Sequence, residues 1–228
     1  MEIVRPTGHD ERVAAYETAV IEAQCFDLAP DADHLMKQRS GRMTWVYVDQ
    51  SKALCQPATL RPCLDMIGSY LEANFPPAET VLVNADSKFS PHVTGALAAQ
   101  MGYRQVLVNP QATTQREHGA KLRLRIPAQL NNSDRFVIVD DTVTSGRTVI
   151  DVVELVRTEL GSRLAGNEFY LLGCLLRGKV AETQAALEAA GIKLFYFTDF
   201  KSLAQKIPNL SNEQRAGIQA EIRALQGH

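Results

Sequence analysis

The feature that most limits what this chain can fold into is a series of short apolar runs alternating with helix-length stretches. The runs are Val81-Leu82-Val83, Gln105-Val106-Leu107-Val108, Phe136-Val137-Ile138-Val139, Tyr170-Leu171-Leu172-Gly173-Cys174-Leu175 and Lys193-Leu194-Phe195-Tyr196-Phe197. Each has the length of a buried strand rather than of a buried helix. Helical patterns fall between them, from about Pro91 to Met101, from about Thr148 to Leu160 and from Ala181 to Ala190. Strand, helix and strand in repeated order predict an α/β fold, an open parallel sheet flanked by helices. With 45% hydrophobic and 22% charged residues, the chain has enough apolar material for one sizeable core and is not of disordered composition.

Upstream of the sheet, Val13, Ala14, Tyr16, Ala19, Val20, Ala23 and Phe26 recur at helical spacing. They predict an amphipathic helix through most of the first thirty residues, serving as a hood or lid. Residues Thr44 to Asp49 are β-rich and read as the first core strand, and Pro57 opens a helical stretch to about Phe75, which Pro76-Pro77 ends. The expected division is an N-terminal helix and hood over 1–43, a core over 44–205 and a C-terminal helix over 206–228, its apolar face Ile218, Ile222 and Leu225 packing on the core or on a second copy. Between the second and third core runs, Asn109 to Asp134 form a long excursion in which Lys121 to Ile126 alternate like a two-faced strand, and so long a connection suggests function.

A formal net charge of -2 provides no global field for nucleic acid or an anionic membrane, so any anionic ligand must be met by local groups. The cysteines Cys25, Cys55, Cys63 and Cys174 are scattered without metal-ligand spacing, and no dedicated metal site is expected. No apolar leader opens the chain, and no stretch reaches the roughly 18 apolar residues of a membrane span. The expectation is a cytoplasmic protein with reduced thiols.

Chemistry concentrates where the third run meets its helix. In an open parallel sheet, ligands sit beyond the carboxyl ends of the strands, where the loop into the next helix offers backbone N–H groups. There the chain reads Asp140-Asp141-Thr142-Val143-Thr144-Ser145-Gly146-Arg147-Thr148. Backbone amides with the hydroxyls of Thr144, Ser145 and Thr148 can wrap a phosphate, and Gly146 permits close backbone approach. Asp140 and Asp141 can accept hydrogen bonds from the two hydroxyls of a ribose. A strand followed by an ordinary polar helix cap would use some of the same residues.

The segment Phe136 to Thr148 resembles the phosphoribosyl pyrophosphate signature of type I phosphoribosyltransferases, departing only at Thr142, where that family usually has an aliphatic residue. The flanking parts resemble most the orotate branch. Arg39-Ser40-Gly41-Arg42 stands where that branch has a Lys-Ser-Gly-Arg-type segment, Lys88 is what remains of its glycine-rich diphosphate loop within Asn84 to Phe89, and Arg116-Glu117-His118-Gly119 lines up with its mobile catalytic loop. Arg177 follows the fourth run, where the branch has a strand-terminal Asp-Arg.

The resemblance implies transfer of ribose-5-phosphate from phosphoribosyl pyrophosphate to a nucleobase, orotate first, with Mg2+ carried by the substrate and a homodimer as the working unit. Lys88, Arg116, His118, Asp140 and Asp141 would be the catalytic group. Arg39, Arg42, Thr142, Val143, Thr144, Ser145, Gly146, Arg147, Thr148 and Arg177 would bind substrate. The thinned diphosphate loop keeps two other outcomes open: a binding protein that performs no transfer, and a transferase for another base.

Overall fold

The computed structural model describes residues 4–38, 41–85, 87–108, 124–125, 130–161 and 166–226. The apolar runs form β5 (Thr80–Asn84), β6 (Arg104–Val108), β8 (Arg135–Val143), β9 (Glu168–Leu176) and β10 (Ile192–Asp199), all parallel to one another. A short antiparallel strand, β7 (Leu124–Arg125), adds to the edge at β6, so the sheet order is β10-β9-β8-β5-β6-β7. β8 lies in the middle, and the segment after it therefore opens over the centre of the sheet. Bidentate pairing of Arg104 with buried Asp134 ties β6 to the entry of β8.

Because successive strand residues point to opposite faces, each strand feeds two cores. Leu82, Val137, Val139, Tyr170 and Leu172 face one side, with α1 (His9–Glu22), α2 (Pro57–Asn74), α3 (Ser90–Met101) and α7 (Asn212–Gln226). Val81, Val83, Phe136, Ile138 and Leu171 face the other, against Val149, Val152, Val153 and Val156 of α4 (Arg147–Leu160) and Leu187 of α5 (Val180–Ala189). The valines of α4 repeat at helical spacing, which aligns its apolar stripe with the sheet.

The first thirty residues differ from expectation. The helix ends at Glu22, and Gln24 takes a left-handed turn at φ 51°. Phe26 begins β1 (Phe26–Leu28), paired antiparallel with β4 (Val46–Val48). The expected first core strand is likewise divided: β3 (Met43–Thr44) pairs with β2 (Met36–Lys37), and neither β3 nor β4 joins the central sheet. Pairing partners about twenty residues apart lie outside any local window, so periodicity alone continued the helix through Phe26.

These small sheets, which we call the hood, are tied to the C-terminal helix. On α7, a Cβ at Gly217 would fall 2.1 Å from the Trp45 ring, so only glycine lets the helix sit this close. Gln214 Nε2 donates to the Ala29 carbonyl at 2.9 Å, and Glu221 accepts from the Thr44 hydroxyl and the Trp45 amide. The C-terminal helix thus packs within the chain and also reaches the hood. No described helix is long and apolar enough to cross a membrane.

Candidate active site

β8 runs four residues further than the apolar run alone predicts, through Asp140-Asp141-Thr142-Val143, because Asp140, Thr142 and Val143 keep register with Gly173, Leu175 and Leu176 of β9. The loop is therefore only Thr144-Ser145-Gly146, and α4 begins at Arg147. Gly146 lies at φ +73° and a Cβ there would meet Leu187 at 2.9 Å. The turn needs its glycine both for conformation and for closeness. The first amides of a 14-residue helix have no intrahelical acceptor, which makes this end suited to an anion.

Around that loop is a cleft of about 990 Å³. Thr144, Ser145, Arg147 and Thr148 line one end of it, and Asp140, Asp141 and Asp49 line its middle. Ser87 and exposed Lys88 stand at one side, while Gln38, Tyr47 and Arg177 lie towards the hood. The cleft thus brings together Lys88, Asp140, Asp141, Thr142, Thr144, Ser145, Arg147, Thr148 and Arg177. Val143 turns away: its side chain is buried against Gly173, where a Cβ would come within 2.6 Å of its methyl. Gly146 is buried behind the loop, and Arg42 turns to Glu221 at 3.5 Å. Arg39, Arg116 and His118 lie outside the described residues.

The acid pair is held in an unusual state. Burial raises Asp140 well above the ordinary carboxylate range, and the neighbouring Asp141 carboxylate raises it further, while a hydrogen bond from Ser87 opposes the rise. Asp141 is raised by burial as well. Among the described residues neither carboxylate has an ion-pair partner, so the pair favours protons, hydroxyl donors or a cation. Hard carboxylate oxygens of this kind suit Mg2+, but no described cluster of three His, Cys, Asp or Glu side chains is arranged to hold a metal alone. A metal here would be held largely by ligand oxygens.

Two contributors escaped the sequence reading. Buried Gln50, in the 3-10 turn Gln50–Cys55, donates through Nε2 to the Asp141 carbonyl at 2.7 Å and to the Thr142 hydroxyl at 3.3 Å, while its Oε1 accepts from the Tyr16 hydroxyl of α1. The residue that departs from the signature, Thr142, thus has a partner for its hydroxyl. Gly178, beyond β9, supports the loop from below, since a Cβ there would lie 1.7 Å from the Thr144 carbonyl, which already accepts from the Thr183 hydroxyl. Neither contact leaves a local signal, because each joins segments far apart in sequence.

No protein-family model and no curated protein matches the sequence. Solved structures do resemble it. UMP synthase of Leishmania donovani is 18% identical with a TM-score of 0.68 over 93% of this chain, which spans 42% of that longer protein. Orotate phosphoribosyltransferase of Aeropyrum pernix is 19% identical with a TM-score of 0.64, covering 84% of this chain and 97% of the other. Adenine phosphoribosyltransferase of Leishmania tarentolae is 17% identical with a TM-score of 0.53, covering 74% and 84%. The architecture that sets the loop after β8 over the middle of a parallel sheet is the type I phosphoribosyltransferase fold, most like that of the orotate enzymes.

Proposed function

We propose that this protein transfers ribose-5-phosphate from phosphoribosyl pyrophosphate to a ring nitrogen of a nucleobase. The observation that carries the reading is the single cleft of about 990 Å³ in which a hydroxyl-rich helix N-terminus, an acid pair and Lys88 face one another. The loop hydroxyls and amides bind the 5-phosphate, and Asp140 and Asp141 orient the ribose through its hydroxyls. Lys88 draws charge onto the departing diphosphate. Mg2+, brought by the substrate, would neutralise the diphosphate when bound. Arg116 and His118 belong to this reading as the loop that excludes water, and a cytoplasmic homodimer would let that loop serve a neighbouring subunit.

A second reading, binding without transfer, draws support from the segment after β5. The Ala85 amide donates to Ser90 Oγ at 2.7 Å, the Ser87 amide to the Ala85 carbonyl at 2.9 Å and the Ser90 amide to Ser87 Oγ at 3.0 Å. Three of the described backbone donors here are thus used within the segment. Orotate as acceptor depends on Arg39, Arg42 and Arg177 acting as free cations, and the two described arginines both face Glu221.

Calorimetry with phosphoribosyl pyrophosphate and Mg2+, followed by nucleobases with pyrophosphate release monitored, separates these readings. Release with a base supports the transferase, binding alone supports the second reading, and no binding rejects both.

A further inference from the structure

Arg177 lines the hood end of the cleft, and the Glu221 carboxylate already stands against it. Its Nη2 lies 2.9 Å from Glu221 Oε1 and also meets the Thr44 hydroxyl. Its guanidinium stacks 4.2 Å from the centre of the Phe200 ring, and with the Gln38 amide oxygen turned towards it Nε donates at 3.0 Å. The arginine is 3% exposed and its partner Glu221 8% exposed. Held from these sides, the guanidinium cannot swing into the fork geometry that grips a carboxylate.

Glu221 is engaged in turn. Its two oxygens lie 2.9 and 3.0 Å from the single Thr44 hydroxyl, and it accepts from the Trp45 amide at 3.3 Å and from Arg177, with Arg42 at 3.5 Å. Arg42, the other described cation beside Glu221, does not line the cleft, whereas Asp49 in its middle adds a carboxylate whose Oδ1 accepts from the Ser51 amide and hydroxyl. An acceptor bearing a carboxylate would therefore meet a neutralised arginine and a like charge. An uncharged heterocycle would meet polar edges from Gln38 and Arg177 and the ring of Tyr47.

We propose that Glu221, delivered by the C-terminal helix, sets acceptor choice by neutralising Arg177, so that the cleft takes an uncharged nucleobase and rejects a carboxylated one. This deepens the transferase reading and rests on it. Glu221 is a positioning and specificity residue, since it acts through Arg177.

The test uses the full chain with saturating phosphoribosyl pyrophosphate and Mg2+. Orotate is compared with orotamide, its uncharged analogue of nearly the same shape, and with uracil, adenine, hypoxanthine and guanine. Pyrophosphate release gives kcat/KM, and calorimetry gives Kd where there is no turnover. The wild-type protein is expected to favour an uncharged base over orotate, and orotamide over orotate, by at least about tenfold. Glu221→Gln is expected to shift the orotamide-to-orotate ratio towards orotate by about tenfold while the affinity for phosphoribosyl pyrophosphate stays the same. Preference of the wild type for orotate, absence of any base binding, or an unchanged ratio in a folded Glu221→Gln overturns the assignment of Glu221 and leaves the binding of phosphoribosyl pyrophosphate standing. Failure of the wild type to bind phosphoribosyl pyrophosphate overturns the function itself and the assignment with it. The orotate and orotamide comparison needs no variant, so the proposal remains exposed to refutation if Glu221→Gln does not fold.

Discussion

The Gln50 amide donates to the Asp141 carbonyl at 2.7 Å across ninety-one positions of sequence. It ties the turn after β4 to the strand end that carries the acid pair, with Tyr16 of the first helix holding the other end of the same amide. Replacing Gln50 by Leu leaves a partly buried carbonyl and the buried Tyr16 hydroxyl without partners, and should cost about 1–3 kcal/mol of stability. Affinity for phosphoribosyl pyrophosphate should fall about tenfold, a loss of about 1.4 kcal/mol. Thr142→Val removes only the longer of the two contacts and should cost about 0.5–1 kcal/mol, with binding nearly unchanged. Thermal unfolding and calorimetry on the two variants give the comparison, and equal effects would rule out the carbonyl contact as the important one.

The raised acid pair makes a statement about pH. A carboxyl whose folded pKa lies above its unfolded value binds more protons folded than unfolded between the two values, so stability falls as pH rises through that window. Burial and the Asp141 charge place Asp140 in this class, starting from the ordinary 3.8. The ligand-free protein should lose stability as pH rises above the ordinary carboxylate range, and Asp140→Asn should flatten that decline. Denaturant unfolding across pH measures it, and a wild-type profile that rises over the same window would contradict the burial argument.

Ligand binding should reverse the protonation. A cation carried with the diphosphate favours the ionised carboxylates, so binding at mildly acidic pH should release protons. Calorimetric enthalpies in buffers of different ionisation heat should therefore differ for the wild type and differ less for Asp140→Asn, which keeps Asp141. Asp140→Asn combined with Asp141→Asn should abolish ribose-phosphate binding and leave the fold intact, as read by circular dichroism and titration. Full binding by the double variant would refute the role of the pair.

Gly178 offers a test of the loop from its hidden side. A Cβ 1.7 Å from the Thr144 carbonyl cannot be accommodated without moving backbone. Gly178→Ala should displace the Thr144 to Gly146 turn, weaken phosphate binding more than tenfold and cost about 1–3 kcal/mol through overpacking. A melting curve and phosphate titration matching the wild type would show that the loop can yield.

The central sheet and its loop were legible because their determinants are local. The run Phe136 to Val139 followed by Asp140 to Thr148 specifies strand, turn and helix from neighbours alone, and the structure changes only where the strand ends, at Val143 rather than Val139. What escaped was set by partners distant in sequence. Phe26 sits in a strand because Val48 is available to pair with it, and Gln50 and Glu221 look like ordinary polar residues until the fold brings Asp141 and Arg177 beside them. The C-terminal helix was read from Ile218, Ile222 and Leu225, which describe its packing face and say nothing of the carboxylate beside them.

The bond between Thr44 and Glu221 spans 177 positions. During vectorial synthesis at about 5–20 residues per second, the hood segment leaves the ribosome about 9–35 seconds before its closing helix exists. Through that interval Trp45 has no helix surface to rest on, and Arg177, made 44 positions before Glu221, waits about 2–9 seconds for its counter-ion. On the proposed function, a growing chain that completes its sheet and the loop after β8 while Glu221 is still to come would gain competence for the sugar phosphate earlier in its life than discrimination among bases.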